Sequence, residues 1–362
     1  MKTEFWSSRT TFLLATVGCS VGLGNLWRFP YVAGENGGGA FVLVYAAFVL
    51  LIGIPLIMAE LAIARRGHRS PVATTALISM EESGHSRWQL IGWFSILAPL
   101  LALGFYSVVG GWSLDYLLLA ARGSFSGIDG TQAGAMFDSI LASPARMFFS
   151  FSLMVISVSV VVGSGLRHGI ERISKVMMPT LFLLLASLAI YAHTVGDGPR
   201  AWTFLFRPDF SSLSGDAVLI ALGQSLFSMA GGTGALLAYG AYLPQNISIP
   251  SAAWIIGLAD TAAALLAGLV IFPIVFASGL DTAEGPGLTF VTLPLAFSTR
   301  PAGQFFGALF FLRGFCAAFT SGLGLMEPMV AWLEERPGWS RKRSAAAAAV
   351  LIFLLGLAAV FS

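Results

Sequence analysis

The fold is decided by residues 10–34, which read TTFLLATVGCSVGLGNLWRFPYVAG. This apolar stretch is longer than the about 20 residues that a helix needs to cross a membrane. Its middle, residues 18–25, contains three glycines and the polar residues Ser20 and Asn25. Each glycine costs a helix about 1 kcal/mol relative to alanine, and irregular backbone at membrane depth is tolerated only where it lines a cavity or is buried in protein. The stretch therefore predicts a membrane-spanning helix that is broken beside a buried cavity.

A second apolar stretch is interrupted in the same way. Within residues 215–243, residues 228–234 read SMAGGTG and break the apolar pattern. Close helix packing through small residues would explain one such cluster. Two clusters in matching halves of a chain point instead to a transporter whose binding site lies at two broken helices. These helices are the first and the sixth of the predicted set, as expected for the first members of two inverted five-helix repeats.

The overall composition agrees with a membrane protein. The chain is 56% hydrophobic and 10% charged, whereas a soluble domain carries about 25% charged residues. None of the apolar stretches shows the strict alternation of the about 10-residue strands of a membrane barrel. The sequence predicts an all-α membrane protein, a polytopic bundle of about nine transmembrane helices at residues 10–34, 40–64, 88–120, 145–162, 166–192, 215–243, 250–278, 303–333 and 341–361.

Basic residues concentrate in alternate connections between these stretches. Lys2 and Arg9 precede the first stretch, and further clusters follow the second, fourth and eighth. The positive-inside rule then places the N-terminus in the cytoplasm, with Arg200 and Arg207 as exceptions on the other side. The first apolar run is too long for a cleaved signal peptide. The clusters contain Arg65, Arg66, Arg69, Arg87, Arg167, Arg172, Lys175, Arg336, Arg341, Lys342 and Arg343.

Other residue types exclude several classes of protein. Cys19 and Cys316 both lie inside apolar stretches, which excludes a disulfide scaffold and favours packing roles. The four histidines are scattered, and the His-Glu-x-x-His run of zinc proteases does not occur. An intramembrane enzyme and a histidine metal site are therefore disfavoured, and no feature predicts nucleic-acid binding.

Two adjacent motifs in the first helix connect the chain with a known family. Residues 21–31 read VGLGNLWRFPY, and residues 35–41 read ENGGGAF. Together they closely resemble the first-helix signature of the neurotransmitter:sodium symporters, whose bacterial members have the leucine-transporter fold. The resemblance continues to the ninth stretch through Gly53-Ile54-Pro55, Glu60, Gly169-Ile170-Glu171-Arg172, Met178-Pro179, Gly223-Gln224, Phe227-Ser228, Thr320-Ser321 and Glu327-Pro328-Met329.

The resemblance implies a sodium-coupled amino-acid symporter that works by alternating access in the bacterial inner membrane. It implies two bound sodium ions, an amino-acid substrate, contact with the lipid bilayer, and a homodimer as one expected assembly. Residues 1–362 would form a single transmembrane transporter domain, with repeats at about 10–192 and 215–362. The second repeat is expected to be incomplete, because about nine helices are predicted and family members have eleven or twelve.

The resemblance also implies two sodium sites built from oxygen ligands, which hard cations prefer. In site one the substrate carboxylate would complete the ligand set. The protein ligands of site one would be the carbonyl of Ser20 and the side chains of Asn25, Ser228 and Asp260. Those of site two would be the carbonyls of Gly18, Val21 and Ala317 and the hydroxyls of Thr320 and Ser321.

The implied substrate pocket lies next to site one. The substrate carboxylate would meet the N–H groups of Leu23 and Gly24 and the hydroxyl of Tyr106, and Phe227 would close over it. Amine-transporting relatives have an aspartate at the position of Gly22, so glycine leaves room for a carboxylate. The remaining pocket residues would be Ser20, Ser228, Ala102, Ala230, Thr233, Ser321 and Leu325, several of them small, which predicts a hydrophobic or aromatic amino acid.

The residue Asp260 allows a prediction of whether transport requires chloride. An ionisable side chain within a membrane span is costly and indicates a function. Many relatives have asparagine at this position and bind chloride nearby, so a fixed carboxylate would replace the anion. Ala264, one turn further, offers no hydroxyl to an anion. The sequence predicts chloride-independent transport, and the alternative is a structural hydrogen-bonding role for Asp260.

Gates are expected at both ends of the pocket. Arg28 and Phe227 are predicted at the outer gate. At the inner gate, Thr3 stands where relatives have arginine, and Lys2 is predicted to pair with Glu335 instead. Trp6, Tyr242 and Glu327 would lie near this pair. The membrane carboxylates Glu60 and Glu171 are predicted to tie helix backbones together.

Two departures from the family pattern define the alternative function. The acidic partner of Arg28 would come from a tenth helix, so Arg28 is expected to be unpaired. Arg313 lies where an apolar residue is usual, and near sodium site two its charge would repel sodium. The alternative is a non-transporting amino-acid-binding protein or an inactive truncated relative.

Residues 122–143 are expected to form the longest loop, and residues 281–300 an extracellular loop that dips onto the bundle.

Overall fold

A computed structural model describes residues 4–279 and 287–361, with the side chain of Ser212 excepted. Within these ranges the chain is helical, and the only β pairing is an isolated bridge between Gly38 and Pro208. This confirms the predicted all-α membrane fold.

Nine helices or helix pairs in the described ranges correspond to the nine predicted stretches. Seven are continuous and long enough to cross a membrane, and a pair bent by 50° forms an eighth span. The ninth element is a second pair, of two shorter helices separated by a non-helical link. In chain order they are α1 (α1a Arg9–Ser20, α1b Gly24–Glu35), α2 (Gly39–Gly67), α3 (Gln89–Ala121), α4 (Pro144–Gly163), α5 (Leu166–Val195), α6 (α6a Gly215–Ser228, α6b Ala235–Ala241), α7 (Ile249–Ala277), α8 (Gly303–Glu334) and α9 (Arg341–Val360).

The break in α1 follows from its glycines and from the packing around them. Val21 is extended, with φ −72° and ψ 92°, and ends α1a. Helical structure resumes as a π-helical turn at Gly24–Arg28, a form that is rare and often marks functional sites. A Cβ atom on Gly22 would lie 2.4 Å from the Ser321 hydroxyl. A larger residue at this position would have to displace the Ser321 side chain, so glycine suits the close packing of the break against α8.

The break in α6 uses left-handed backbone. Ala230, Gly232 and Gly234 have φ values of 51°, 78° and 85°, a region that costs an L side chain about 1–2 kcal/mol per residue. A Cβ atom on Gly234 would lie 2.5 Å from the Cα atom of Ser95 on α3. The Gly234 conformation thus starts α6b while it packs tightly against α3.

The packing places α8 at the centre of the bundle. In its most apolar 18 residues, 83% are buried within the protein, against 33% in α9. Because lipid covers the remaining apolar surface of such helices, α9 lies at the periphery. The arrangement brings α1, α3 and α6 around α8, which positions both breaks inside the bundle.

Two segments expected to be loops contain helices. Gly130–Leu141 is a helix with a capping box at Asp129, so the predicted loop at residues 122–143 is largely wrong. Leu288–Ser298 is a short apolar helix that is mostly buried, so a loop over 281–300 is wrong for this part. Residues 280–286 lie outside the described ranges. The apolar residues of both helices pack against one another, as in the stacked rings of Phe137 and Phe290.

We predict that Gly234→Ala destabilises the protein, because it forces a side chain into left-handed backbone and against α3. The expected cost is at least about 1–3 kcal/mol, seen as a lower midpoint of thermal unfolding of the purified protein. Gly215→Ala is the matched control, since nothing lies within 4 Å of a Cβ atom at Gly215. Equal midpoints for the two variants would contradict this account of the α6 break.

Candidate functional site

The two helix breaks face each other in the middle of the bundle. The Ser20 hydroxyl donates to the carbonyl of Met229 at 3.2 Å, and the Gln224 amide donates to the carbonyl of Gly24 at 2.7 Å. The first bond gives the Met229 carbonyl in the α6 link a partner, which lipid would not supply. The second adds to the π-helical bond that the Gly24 carbonyl already accepts from the Phe29 N–H, and together the two bonds tie the broken helices to each other.

The residues predicted for sodium site one lie together beside these breaks. The Ser228 hydroxyl donates to Asp260 Oδ2 at 2.7 Å, and the Asn25 amide donates to the Asp260 carbonyl at 3.0 Å. Ser20, Asn25, Ser228 and Asp260 are all buried. The sequence prediction missed Tyr45 of α2, whose hydroxyl lies 3.1 Å from that of Ser228 and donates to Asp260 Oδ2 at 3.3 Å.

One oxygen in this cluster has no partner. Asp260 Oδ1 is buried and, among the described residues, accepts no hydrogen bond. A buried carboxylate oxygen without a donor is costly unless a cation or donor meets it. The described residues contain no group of three His, Cys, Asp or Glu side chains that would hold a metal. A single carboxylate among neutral oxygens therefore fits a monovalent hard cation better than a divalent one.

The residues predicted for sodium site two lie where α1a packs on α8. The Ser321 hydroxyl donates to the Gly18 carbonyl at 3.3 Å, and a Cβ atom on Gly18 would lie 3.2 Å from Thr320 Cβ. The Thr320 hydroxyl donates within α8 to the carbonyls of Cys316 and Ala317 at 3.0 and 3.3 Å. Val21 stands at the end of α1a with all these residues buried.

The residues predicted for the substrate pocket surround the α1 break. A Cβ atom on Gly22 would touch Tyr106 at 3.3 Å, and one on Gly24 would touch Phe227 at 3.0 Å. The Tyr106 and Phe227 rings have centroids 6.3 Å apart. Leu23 is buried at the start of α1b. The structure thus brings α1b, α3 and α6a together around Gly22.

The predicted side-chain subsite involves the link in α6 and the facing parts of α3 and α8. Ala230 is buried in the link, and the Thr233 hydroxyl donates to its carbonyl at 2.7 Å. Ala102 on α3 is half-buried, and Leu325 on α8 is buried. Because the Thr233 hydroxyl donates its one proton within the link, it can act towards a substrate only as an acceptor.

The predicted outer-gate arginine has a partner. Arg28 Nη1 donates to Gln224 Oε1 at 2.5 Å, and the guanidinium lies 5.4 Å from the ring centroid of Phe227. Arg28 thus has a hydrogen-bond partner, although in the described ranges no carboxylate forms an ion pair with it, as the sequence led us to expect. The sequence contained a signal for Gln224, since a polar residue inside a membrane span needs a partner, but its spacing to Arg28 gave no indication of the contact.

At the other end of the pocket, the N-terminal segment closes onto α6b. Trp6 is buried, its indole N–H donates to the Tyr239 carbonyl at 2.9 Å, and its backbone N–H donates to the Tyr242 carbonyl at 3.1 Å. Glu171 accepts from the backbone and hydroxyl of Ser7 at 2.7 and 2.5 Å. Trp6 thus seals this end, and Glu171 ties the segment to α5.

An ion-pair cluster that sequence reasoning missed lies next to Trp6. Arg341 Nη2 lies 2.6 Å from Glu327 Oε2, and Arg341 Nη1 lies 3.3 Å from Glu334 Oε2. The Tyr242 hydroxyl donates to Glu327 Oε1 at 2.7 Å. Glu327 is fully buried. In the sequence, Arg341 was counted only among the cytoplasmic charges, and only the fold places it against a residue of α8.

Glu335, predicted to pair with Lys2, accepts hydrogen bonds from the backbone and hydroxyl of Ser70 at 2.8 and 2.6 Å. Lys2 and Thr3 lie outside the described residues.

Glu60 accepts from the Gly232 N–H at 2.6 Å and so ties α2 to the link in α6. A cavity of about 860 Å³ opens beside this end and is lined by Glu4, His68, Arg69, Tyr242, Glu334, Glu335 and Arg341 among others.

The sequence and the fold of this chain match known proteins over almost the whole length. Residues 3–126 and 135–362 match the sodium:neurotransmitter symporter family. The chain belongs to this family. The sodium-dependent transporter YhdH of Bacillus subtilis (strain 168) is 39% identical over 352 residues, which cover 97% of this chain and 77% of YhdH.

More distant members of the family and a solved structure agree. The sodium-dependent serotonin transporter of Drosophila melanogaster is 27% identical over 378 residues, which cover 92% of this chain and 60% of that protein. The crystal structure of MhsT in complex with L-phenylalanine matches with a TM-score of 0.91 at 40% identity and covers 99% of this chain and 81% of that chain. This symporter is therefore a sodium-dependent integral membrane transporter that binds a substrate, and not an enzyme.

The ion-pair cluster gives a stability prediction for the symporter. Glu327→Gln leaves Arg341 largely buried without its closest carboxylate, and breaking a buried ion pair costs about 3–5 kcal/mol. We expect a clear loss in the midpoint of thermal unfolding. Glu81→Gln breaks the contact with Arg66, where both side chains are about half exposed, and should change little because water screens the charges. A Glu327 variant as stable as the Glu81 control would show that the cluster contributes nothing to stability.

Proposed function

We propose that the protein couples the entry of a hydrophobic or aromatic neutral amino acid to sodium by alternating access. The observation that carries this proposal is the buried Asp260 carboxylate, with one oxygen free of donors, beside a helix break whose Gly22 has no side chain. A sodium ion would balance Asp260, and the carboxylate and ammonium groups of an amino acid at Gly22 would balance each other inside the bundle.

Two sodium ions are proposed. Site one comprises the Ser20 carbonyl, Asn25, Ser228 and Asp260, where the substrate carboxylate completes the oxygen shell. Site two comprises the carbonyls of Gly18, Val21 and Ala317 with Thr320 and Ser321. Support comes from the close packing of α1a on α8 at Gly18 and from the uncharged oxygen ligands, which bind weakly enough to release the ion again.

The substrate carboxylate is proposed to bind the N–H groups of Leu23 and Gly24. These groups begin α1b, and the N-terminal end of a helix attracts anions. An amine without a carboxylate would leave these N–H groups without an acceptor and the site with a net positive charge, since Asp260 balances only the sodium ion. An amino acid is therefore favoured over a biogenic amine, as the absence of a side chain at Gly22 also indicates.

The rest of the substrate is proposed to be apolar. Tyr106 and Phe227 flank the break, Ala102 and Ala230 are small, Leu325 is apolar, and the Thr233 hydroxyl donates within the link. Few polar groups are left for an acidic or polar substrate side chain, since unpaired buried polar groups are costly. The match to MhsT, solved in complex with L-phenylalanine, supports the same class of amino acid.

Alternating access is proposed to use the closures at both ends of the pocket. Arg28, Gln224 and Phe227 close the outer end, and Trp6, Tyr242 and the Glu327–Arg341 pair close the inner end. Glu335 is proposed to hold the inner end through Ser70. The large polar cavity beside Tyr242 and Arg341 would connect the pocket with the cytoplasm when Trp6 moves.

The remaining proposals concern the membrane location, the domain organisation and the assembly of the protein. The basic clusters favour an inner-membrane protein with a cytoplasmic N-terminus. We further propose one transport domain with repeats at about 10–192 and 215–362, and assembly as a homodimer.

Binding of large neutral amino acids should require sodium. We expect purified protein to bind phenylalanine or leucine in sodium and not in potassium. The variants Asn25→Ala and Asp260→Ala should lose most of this affinity, because each removes a ligand of site one. Scintillation proximity binding with a panel of labelled amino acids measures this. Thr180→Val is the control, since the Thr180 hydroxyl donates within its own helix, to the Val176 carbonyl of α5, and its loss should leave binding intact.

Preferential binding of glycine, alanine or an acidic amino acid would contradict the proposed substrate class. Sodium-dependent binding without accumulation in proteoliposomes would favour the non-transporting relative. No binding in either salt would contradict the proposed site as a whole.

Chloride should be unnecessary for transport, because Asp260 supplies the fixed negative charge at site one. We expect proteoliposomes to retain at least half of their sodium-driven uptake when gluconate replaces chloride on both sides. Asp260→Asn should lower uptake, and any remainder should depend on chloride. Loss of uptake by the unaltered protein in gluconate would contradict this proposal.

A further inference from the structure

Arg313 is a buried cation that the transport mechanism does not use. Its side chain is 1% exposed, and its guanidinium lies 4.0 Å from the ring centroid of Phe310. Its only hydrogen bond among the described residues is a long one, 3.5 Å from Nη2 to the Leu26 carbonyl. Nε and Nη1 are buried without any partner there. The guanidinium is therefore largely unsatisfied.

The orientation of Arg313 corrects the expectation from the sequence. Side chains on a helix lean towards its N-terminus, and α8 begins at Gly303. Arg313 accordingly lies against Phe310 and Leu26, on the side of α1b, and not against Thr320. The proposed repulsion of sodium from site two thus lacks structural support.

Among the residues that the structure describes, no carboxylate pairs with this charge. The ion pairs found in the described ranges do not include Arg313. Arginine cannot lose its proton in a protein, and buried charges are ordinarily paired. The phenylalanine face offers only partial compensation. A counter-charge is therefore needed next to Arg313.

The neighbourhood of Arg313 presents further donors without acceptors. A small cavity is lined by Arg313, Trp27, Thr289, Ser113 and apolar residues. The Trp27 indole N–H and the Thr289 hydroxyl are buried and lack partners among the described residues, and the Ser113 hydroxyl already donates to Val109. Indole N–H groups and guanidinium groups donate only, so the cavity favours an acceptor with negative charge.

The size of the cavity limits the ligand. The cavity has a volume of about 10 Å³, which is room for about one water molecule or one small ion. A water molecule would accept one or two hydrogen bonds but leave the charge uncompensated. A carboxylate of an amino acid or peptide is too large for this space.

We propose that Arg313, Trp27 and Thr289 bind one small monovalent anion such as chloride. The anion joins three elements, namely α8 through Arg313, α1b through Trp27, and the helix Leu288–Ser298 through Thr289. It therefore stabilises the arrangement in which the outer end of the pocket is closed. It lies apart from Asp260, so it does not replace the fixed charge of site one.

Anion-dependent thermal stability tests this proposal on the full-length protein. At constant sodium, replacing gluconate by chloride should raise the midpoint of thermal unfolding along a saturable curve, and bromide should act similarly. Arg313→Met should abolish the chloride-dependent shift, and Thr289→Val should weaken the apparent chloride affinity at least threefold. Arg66→Met, at an exposed arginine, should keep the full shift. A chloride shift that persists in Arg313→Met, or no shift in the unaltered protein, would overturn the proposal.

Anomalous scattering from bromide provides a readout that does not depend on a variant folding. Crystals of the unaltered protein grown in sodium bromide should show an anomalous peak in contact with the Arg313 guanidinium. Absence of a peak there would overturn the proposal even if bromide binds elsewhere. Neither test depends on transport, so failure of the anion site and failure of the proposed symport are distinguishable.

Discussion

Two helix breaks inside an apolar bundle place released backbone groups where lipid and water cannot satisfy them. Side chains of each broken helix bind carbonyl groups of the other. Ser20 of the first break binds the carbonyl of Met229, and Gln224 of α6a binds the carbonyl of Gly24. These two bonds tie α1 to α6, and both helices are packed tightly against neighbours, α1 against α8 at Gly22 and α6 against α3 at Gly234. The rest of the bundle is arranged around these contacts.

The same constraint explains why charge can be used at the centre of the membrane. Asp260 lies fully buried next to the breaks, with donors from Ser228 and Tyr45 on one oxygen and none on the other. A carboxylate held in this way has strong affinity for a cation, and the start of α1b has affinity for an anion. The proposed coupling follows because a sodium ion binds at Asp260 while the carboxylate of the amino acid binds at the start of α1b. Arg313 presents the opposite case, a cation whose donors have no acceptor.

Much of the fold could be predicted from the sequence, because membrane helices are specified locally by length and hydropathy. The breaks were predictable too, since glycine clusters at Gly22 and Gly232 are costly unless they serve a site. Contacts between distant residues were not. The partner of Arg28 is Gln224 and that of Arg341 is Glu327, and each pair depends on how helices are rotated and placed. The helices at Gly130–Leu141 and Leu288–Ser298 were missed because both are short and their stability comes from packing. The neighbours of Arg313 were not predictable either, because they depend on how α8 is rotated against α1b.

The central claim is that sodium and the substrate carboxylate share one site at Asp260. It is tested most directly by measuring sodium affinity with and without a saturating amino acid, and amino-acid affinity at saturating and at low sodium. The account predicts that each ligand tightens the other by the same factor, about 5–150-fold for coupling of ordinary strength. A sodium affinity that does not change when the amino acid is bound would contradict it.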